Sequence, residues 1–394
     1  MAHLFETLKC SQSPLTLRLE EQWIQASAAV NLAVSCVQNH PNIAAIRIKN
    51  TSVLVQLATN NHQLAGNFWS DNSRLRQCAI QAPQLLELLP VIRMYPHLSE
   101  IDLSHNDIGD RGAEELGKIL QDVHGLRKLS LESIGTSPAG ARMLAMGLGR
   151  CLDIEELNLS QNELGEAGAS EMGKVLSQME RLKKINLCRR RTASGSSVGG
   201  QLLAKGLSNC IKLEEINLDS LELGDSGVQL LAMGLLTMPH LKKLNLRSNS
   251  ISSRGAAQLA DCLRGSTEIE DIDLCDNYIE DLGANKLADV LPNMKHLKKL
   301  NLTRNNITAA GGSKVVEALG QCPSVQEIHL SSNKTGDQTA TRLAQTLPKL
   351  PCMKILNLQS NDIGVDGGVQ LARGLFVCTT IEEIRWVMAW HVLT

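Results

Sequence analysis

The sequence contains few aromatic residues, because Trp, Tyr and Phe together make up only 2% of its 394 residues. This scarcity excludes a core built on aromatic rings, so we expect Leu, Ile, Val, Ala and Met side chains to fill the interior. No apolar run approaches the roughly 18–20 residues of a membrane span. The N-terminus carries early charged residues and lacks the apolar segment of a signal peptide.

Neither sign of charge is in excess, since 39 Lys and Arg residues stand against 41 Asp and Glu residues. This balance gives no support to nucleic acid or a membrane surface as the partner. The 11 cysteines are odd in number and scattered along the chain. Scattered cysteines favour a reduced, intracellular protein. We therefore expect a cytoplasmic location, with the nucleus as the second candidate.

Motifs that carry catalysis or hold a cofactor are absent from the sequence. There is no GxxxxGK[ST] phosphate loop, no GxGxxG after a strand, no CxxC and no HExxH. No serine stands in a nucleophile-elbow context, and the 10 His residues are spread out. We predict a protein that is not an enzyme and that has no cofactor, no metal site and no evident small-molecule substrate.

One phrase, L-x-x-L-x-L-x-x-N-x-I, recurs through most of the chain, and Leu297–Ile307 shows it as LKKLNLTRNNI. It is the strand-and-turn signature of a leucine-rich repeat. The phrase returns every 28 residues, with one step of 31, and gives ten full repeats and the start of an eleventh. Its first position is occupied in turn by Leu98, Leu126, Ile154, Leu182, Leu213, Leu241, Ile269, Leu297, Val325, Met353 and Ile381.

The spacing within the phrase predicts the fold. Side chains of a strand alternate between two faces, so the fourth and sixth positions point inward together. Each repeat then returns through a helix such as the one containing Gly112, Leu116 and Leu120. Parallel strands stack about 4.8 Å apart and helices about 10 Å apart. We therefore expect an α/β leucine-rich-repeat solenoid, a right-handed horseshoe with parallel strands on its concave face and helices on its convex face.

The chain is expected to have two regions. Residues 96–394 form the regular repeats, of which the last is incomplete. Residues 1–95 are irregular, and they form either degenerate repeats or a separate small helical domain. The first alternative rests on three apolar pairs and a helix at Glu20–Gln38, the pairs being Leu17/Leu19, Ile46/Ile48 and Cys78/Ile80. At the other end, Trp386 and Trp390 form an improvised cap, or the sequence is part of a longer array.

An asparagine at the ninth position of most repeats is expected to turn the chain out of the strand and to bond backbone groups that lack a ladder partner. It is replaced by Ile134, Arg190 and Leu221, where we expect local irregularity. The one insertion covers Arg189–Ser197. This insertion is a solvated loop or, because basic residues precede Thr192 and Ser194, a site of phosphorylation.

The second and third positions of successive repeats alternate in charge, as Glu155-Glu156, Lys183-Lys184 and Glu214-Glu215 show. Adjacent strands should place carboxylates beside ammonium groups, and the repeating unit is about two repeats long. This ladder would cancel the field of the concave face. Contacts with a protein partner are therefore predicted at the outward fifth, seventh and eighth positions, with these candidates: Asp102, His105, Glu132, Gln161, Arg189, Asp219, Arg247, Asp273, Asp276, Arg304, His329 and Gln359.

The 28-residue period, helical segments such as GGVQLARGL and the alternation of two types of repeat resemble ribonuclease-inhibitor-type leucine-rich repeats. Phrases such as CLDIEELNLSQNELGEAGA are most similar to the C-terminal arrays of NOD-like receptors. The resemblance implies a sensing or autoinhibitory surface in cytosolic innate immunity. It does not extend to the NACHT domain of those receptors, so a full receptor activity is not carried over.

Two other functions remain open on the sequence. The Ran GTPase-activating protein has similar repeats and acts through an arginine near the strand-to-helix rim, where Arg111 and Arg254 are expected to occupy loops. The other is that of a cytoskeletal or scaffold protein. The favoured hypothesis is an intracellular protein–protein interaction module that regulates innate immune signalling or senses a ligand in it.

Overall fold

The structure, a computed structural model, describes residues 99–189 and 197–386, residue 86, and four strands at residues 15–20, 43–49, 54–58 and 63–67. The chain forms two compact units, Met1–Ala193 and Ser194–Thr394. Within each unit, short strands pair side by side in one sheet and the helices pack on one another in chain order. The predicted fold class, an α/β leucine-rich-repeat solenoid, is confirmed.

In the N-terminal part of the first unit, the structure describes β1 (Leu15–Glu20), β2 (Ile43–Lys49), β3 (Leu54–Ala58) and β4 (Gln63–Asn67). β1 and β2 pair in parallel, with Leu17 opposite Ile46 and Leu19 opposite Ile48. β3 instead pairs antiparallel with both β2 and β4. Regular repeats contain only parallel neighbours, so this antiparallel element was not predicted from the period.

Other predictions for this region are not covered by the structure. The Cys78/Ile80 pair lies outside the described residues, and so does the predicted helix Glu20–Gln38 after its first residue. β4 pairs in parallel with the first strand of the regular repeats, with Leu64 opposite Ile101. The boundary between residues 95 and 96 stays a prediction.

Regular repeats occupy residues 99–189 of the first unit. Their elements are β5 (Glu100–Asp102), α1 (Gly109–Leu120), β6 (Lys128–Ser130), α2 (Pro138–Leu148), β7 (Glu156–Asn158), α3 (Gly165–Leu176) and β8 (Lys184–Asn186). Helix α1 shows how a repeat closes, because Gly112, Leu116 and Leu120 are all buried on one side of it. Their spacing of four residues places them on one helical stripe, as predicted.

The second unit continues the same alternation of strand and helix. Its elements are α4 (Ser197–Leu207), β9 (Glu215–Asn217), α5 (Gly224–Leu235), β10 (Lys243–Asn245), α6 (Ser253–Cys262), β11 (Asp271–Asp273), α7 (Glu280–Val290), β12 (Lys299–Asn301), α8 (Ala309–Leu319), β13 (Glu327–His329), α9 (Gly336–Thr346), β14 (Ile355–Asn357), α10 (Val365–Phe376) and β15 (Glu383–Arg385). The strands pair in strict register, with Leu300 opposite both Ile272 and Ile328.

The core follows the composition of the sequence. Among the described residues, the buried hydrophobic side chains are Leu, Ile, Val, Ala, Met and Cys, without an aromatic ring. Cys151 and Cys322 lie in helix-to-strand turns, and each thiol is 3.1 Å from a backbone carbonyl oxygen of the preceding repeat, at Leu120 and Leu291. Burial raises the pKa of both thiols to about 11, so neither is a reactive thiolate at neutral pH.

Buried asparagines connect successive turns. Asn333 Nδ2 donates to the carbonyl oxygens of Leu302 and Leu330, each at 2.9 Å. Asn333 Oδ1 accepts from the backbone N–H groups of Asn305 and Ile307 at 2.9 and 3.0 Å. The side chain therefore satisfies backbone groups of two repeats at once, and the predicted role of the asparagine is confirmed. The same pattern recurs at Asn162, Asn249, Asn277 and Asn361.

The backbone alternates between successive repeats, which confirms a unit two repeats long. Odd repeats, counted from Leu98, have positive φ at the twelfth position, at Gly109, Gly165, Gly224, Glu280 and Gly336. Even repeats have it at the tenth position instead, at Gly135, Ser250, Asn306 and Asp362. Where Leu221 replaces the asparagine, both Glu222 and Gly224 have positive φ, so that repeat is irregular as expected. Ile134 causes no such change, and Arg190 lies outside the described residues.

An aspartate in each of four odd repeats binds the start of the helix in the next repeat. Asp110 Oδ1 accepts from Ser137 N at 2.7 Å and Asp110 Oδ2 from Ser137 Oγ at 2.6 Å. We call this contact the Asp clasp, and it also joins Asp225 to Ser252, Asp281 to Thr308 and Asp337 to Gly364. An alanine at Gly140 would place its Cβ 2.4 Å from Asp110 Oδ1, so the glycine leaves room for the carboxylate. The Asp clasp links repeats in pairs.

Replacing Asp110 with alanine should destabilise the first unit by about 1–2 kcal/mol at pH 7, because two hydrogen bonds to a helix start are lost. The hydrogen bond from the Ser137 hydroxyl holds the pKa of Asp110 below its usual value. The stabilisation is therefore complete above the unfolded-state pKa, about 4, and is lost as pH falls through the lower folded-state pKa. Urea unfolding of both proteins at pH 7 and near pH 3 measures the difference.

Asp153→Ala is the matched control, because Asp153 is exposed and contacts Arg181 in a surface ion pair at 3.1 Å. Such a pair contributes about 0–1 kcal/mol. A loss for Asp110→Ala that equals the control, or that persists unchanged at low pH, would contradict the Asp clasp.

Candidate protein-binding surface

The strand face of each unit carries the side chains that alternate with the core. In β12, Leu300 is buried while Lys299 and Asn301 are half-buried. The same face continues through Thr303, which is half-buried, and Arg304, which is exposed. All twelve side chains predicted to meet a partner are likewise half-buried or exposed. Whether they bind a partner stays a prediction.

The predicted charge ladder is present on this face. Glu155 lies between two cations, with Lys183 Nζ at 2.7 Å from one carboxylate oxygen and Arg127 Nη1 at 3.5 Å from the other. The hydrogen bond from Lys183 holds the pKa of Glu155 below its usual value. Further pairs on the same two rows are Lys128–Glu156, Lys184–Glu156, Lys242–Glu214, Lys243–Glu215, Lys298–Glu270, Lys299–Glu327 and Lys354–Glu382. These rows are largely neutralised.

Side chains at the fifth position close the ends of the strands. Asp102 Oδ1 accepts from Ser104 N at 3.0 Å, and Asp273 Oδ1 accepts from Cys275 N at 2.9 Å. Asparagines make the same bond in other repeats, at positions 158, 186, 217, 245, 301 and 357. Asp102 and Asp273 therefore have a structural role that the sequence analysis missed, although the recurrence of Asp and Asn at this position was visible.

The candidates of the first unit contact neighbours on the strand face. His105 Nε2 lies 4.0 Å from Glu132 Oε1, and Glu132 Oε2 accepts from Asn158 Nδ2 at 3.1 Å. Gln161 Nε2 lies 3.2 Å from Cys188 Sγ. The structure thus brings His105 and Glu132 together.

Arg189 is half-buried and stands at the start of the insertion. Thr192 and Ser194 lie outside the described residues. Their phosphorylation stays a prediction.

Acidic candidates of the second unit are held by neighbouring side chains. Ser220 Oγ donates to Asp219 Oδ1 at 2.7 Å, and Ser248 Oγ donates to Asp276 Oδ2 at 3.1 Å. These hydroxyl groups orient the two carboxylates.

The central strands of the second unit carry further acidic groups. His329 Nε2 lies 3.2 Å from Glu327 Oε2. Asn301 Nδ2 donates to Asp273 Oδ2 at 2.9 Å. Burial raises the pKa of Asp271 above its usual value. Asp271 and Asp273 therefore place two carboxylates at the third and fifth positions of β11.

Three candidates of the second unit converge on one depression of about 460 Å³. Arg247, Arg304 and Gln359 line it, although they come from three different repeats. The structure adds five lining residues that sequence analysis did not select: Cys275, Thr303, Ser331, Ser332 and Ser360. All five stand at the seventh or eighth position. They were not selected because the sequence analysis considered only larger polar and charged side chains there.

Arg111 and Arg254 were expected in loops, and that expectation is wrong. Arg111 lies in the first turn of α1 and Arg254 in the first turn of α6. Both are exposed.

Within the part of the chain that the structure describes, no helix has the length and apolar character needed to cross a membrane. In the same residues, no group of three or more His, Cys, Asp and Glu side chains is arranged to hold a metal ion.

A family model described as Leucine Rich repeat matches residues 96–117, 150–173, 237–260, 293–316 and 349–372. The chain therefore contains leucine-rich repeats, and it is called the array below. Each match includes one strand and ends in the helix that follows it. The array shows homology to receptor and inhibitor repeats, which confirms the resemblance described above.

Three curated relatives illustrate this homology. Protein NLRC5 of Ictalurus punctatus is 30% identical over 219 residues, covering 53% of the array and 12% of that protein. Ribonuclease inhibitor of Sus scrofa is 35% identical over 157 residues, 39% of the array and 34% of the inhibitor. Mouse NACHT, LRR and PYD domains-containing protein 12 is 34% identical over 104 residues, which cover 26% of the array and 10% of that protein. The array therefore spans about a third or less of these relatives' lengths.

Two solved structures are also similar to the array. An internalin from Listeria monocytogenes aligns over 77% of the array and 84% of that chain, with a TM-score of 0.39 and 16% identity. A TLR13–ssRNA13 complex aligns over 75% of the array and 47% of that chain, with a TM-score of 0.38 and 15% identity.

Proposed function

We propose that the array is an interaction module that binds a protein through its strand face and acts as a regulatory or ligand-sensing surface in innate immune signalling. The observation that supports binding most is the strand face of the second unit. Its second and third positions are neutralised by the charge ladder, and Arg247, Arg304 and Gln359 stand together beyond that ladder around an open depression. Arginine is enriched where interfaces concentrate their binding energy.

Homology supports the immune part of the proposal. Repeats of NLRC5 and of NACHT, LRR and PYD domains-containing protein 12 are homologous to the array, and the resemblance to NOD-like receptors implies a sensing surface. Ribonuclease inhibitor, by its name, acts on another protein. The array would work without catalysis and without a cofactor. We propose the cytoplasm as its location, with the nucleus second, because the described cysteines are all free thiols.

Photo-crosslinking in cells tests the binding surface. Gln359 on the strand face and Gln345 on α9 are both exposed, so a photoreactive phenylalanine can replace either one. We expect a crosslinked protein partner from position 359 and not from position 345. Equal crosslinking from both positions, or none from position 359, would contradict a strand-face interaction module. Capture of a small GTPase or of actin would support the GTPase-activating or the cytoskeletal reading instead.

The immune role is tested separately by removing the protein from cells and measuring transcription after exposure to bacterial or viral ligands. We expect an altered response that the unmutated chain restores. An unchanged response would contradict the immune role and would leave the crosslinking result to decide on protein binding.

A further inference from the structure

The depression on the strand face of the second unit is lined by cations and by hydrogen-bond donors. Arg247 and Arg304 belong to repeats separated by one intervening repeat. Strands about 4.8 Å apart place their Cα atoms roughly 10 Å from each other. Two guanidinium groups can therefore reach a single group bound between them.

Neither guanidinium is neutralised by a direct ion pair with a residue that the structure describes. Among the described residues, no carboxylate oxygen lies within 4.0 Å of Arg247 or Arg304. Arg127 and Arg181 do form such pairs, at 3.5 and 3.1 Å. The depression therefore retains positive charge that the ladder lacks elsewhere.

Both arginines line the depression together with Cys275, which is buried. Burial raises the pKa of the Cys275 thiol to about 11, and the charges of Arg247 and Arg304 oppose this rise while Asp273 and Asp276 add to it. Cys275 therefore lies within range of two positive and two negative side chains.

Hydroxyl groups supply further donors. Thr303 Oγ1 and Ser331 Oγ share a hydrogen bond of 3.0 Å, so one hydroxyl of this pair keeps a proton for a ligand. Ser332, Gln359 and Ser360 are exposed on the rim of the depression. A carboxylate has two oxygens and one negative charge, whereas a phosphate monoester has three strong acceptor oxygens and a charge of about −1.5 to −2. Two guanidinium forks and several hydroxyl groups match the phosphate better.

We propose that this depression binds the phosphate of a phosphorylated serine or threonine in a protein segment that lies across the strand face. The inference rests on the proposed function, because the segment belongs to the protein partner. Asp273 and Asp276 lie close enough to Cys275 to raise its pKa, and they would repel a continuous polyanion such as RNA. They suit a segment in which one phosphate is accompanied by basic side chains.

The test measures fluorescence anisotropy of labelled short peptide libraries on the whole chain. One library has phosphoserine at a fixed central position, and two others have glutamate or serine there. The variants are Arg247→Gln, Arg304→Gln and Arg304→Lys, with Arg342→Gln on α9 as the matched control. Circular dichroism melting of each variant verifies that the fold is retained.

We expect the phosphoserine library to bind at least tenfold more tightly than the glutamate and serine libraries. Arg247→Gln and Arg304→Gln should each weaken this binding at least tenfold, and Arg342→Gln should not change it. Arg304→Lys should give an intermediate loss, since lysine keeps the charge and lacks the bidentate fork.

Four results would overturn the proposal. They are equal binding of the glutamate library, competition by inorganic phosphate at the concentration of the peptide, tighter Arg247-dependent binding of single-stranded RNA, and no binding at all. Crosslinking from position 359 detects a partner whether or not that partner carries a phosphate. If the phosphopeptide test fails and a partner is still crosslinked, the proposed function stands. If both experiments fail, the proposed function is contradicted as well.

Discussion

Replacing Asn333 with alanine is expected to lower the free energy of unfolding of the second unit by about 2–5 kcal/mol. The substitution leaves the backbone N–H groups of Asn305 and Ile307 and the carbonyl oxygen of Leu302 without the partner that Asn333 provides. Each orphaned buried group costs about 1–3 kcal/mol, and relaxation recovers part of the sum. Urea unfolding followed by circular dichroism measures the loss, and hydrogen exchange with mass spectrometry locates it at β12 and β13.

Asn357→Ala is the control, because it removes the same side chain from the next repeat at a more exposed position. Asn357 Oδ1 accepts one bond, from Gln359 N at 3.2 Å. We expect a loss of about 1 kcal/mol or less. Similar losses for the two variants would mean that the buried asparagines do not hold neighbouring repeats together.

The second large effect is expected from Leu300→Ala, which should cost about 2–5 kcal/mol through the cavity that it leaves. Leu300 is 1% exposed and stands opposite Ile272 and Ile328 in the register of the sheet. A void at this point removes contacts within three successive repeats. Hydrogen exchange should therefore accelerate first around β12, before the rest of the unit opens.

Leu282→Ala on α7 provides the comparison, since Leu282 is 58% exposed. It should change the unfolding midpoint little. If Leu300→Ala and Leu282→Ala unfold at the same urea concentration, the assigned register of the core is wrong.

Much of the fold could be predicted because the strand and the short helix of each repeat have different spacings of apolar residues, and both spacings recur along the sequence. The alternation at Leu300 and Leu302 gave the buried face, and the regular period fixed which residues stand side by side. The charge ladder followed directly, since Lys183 and Glu155 are one period apart and their side chains meet at 2.7 Å. The asparagine at the ninth position was interpreted correctly for the same reason.

Other features could not be predicted, because they depend on contacts between residues that no repeated sequence pattern pairs. Asp110 and Ser137 are 27 residues apart, one less than the period, so a comparison of equivalent positions does not pair them. The antiparallel strand β3 lies where the sequence has no period. Arg247 and Arg304 were predicted as contacts, but their convergence with Ser332 and Ser360 required the turn geometry after each strand.

The Asp clasp also makes the junctions between repeats alternate in kind. It joins the first repeat to the second in four pairs, at Asp110, Asp225, Asp281 and Asp337. Junctions to the following pair use other side chains, such as Ser248 with Asp276 and Thr303 with Ser331. In a one-dimensional stack, each junction contributes its own share of the stability. Repeats lost in turn from one end would therefore expose the two kinds of junction alternately, and the same kind would return after two repeats, the step from Asp281 to Asp337.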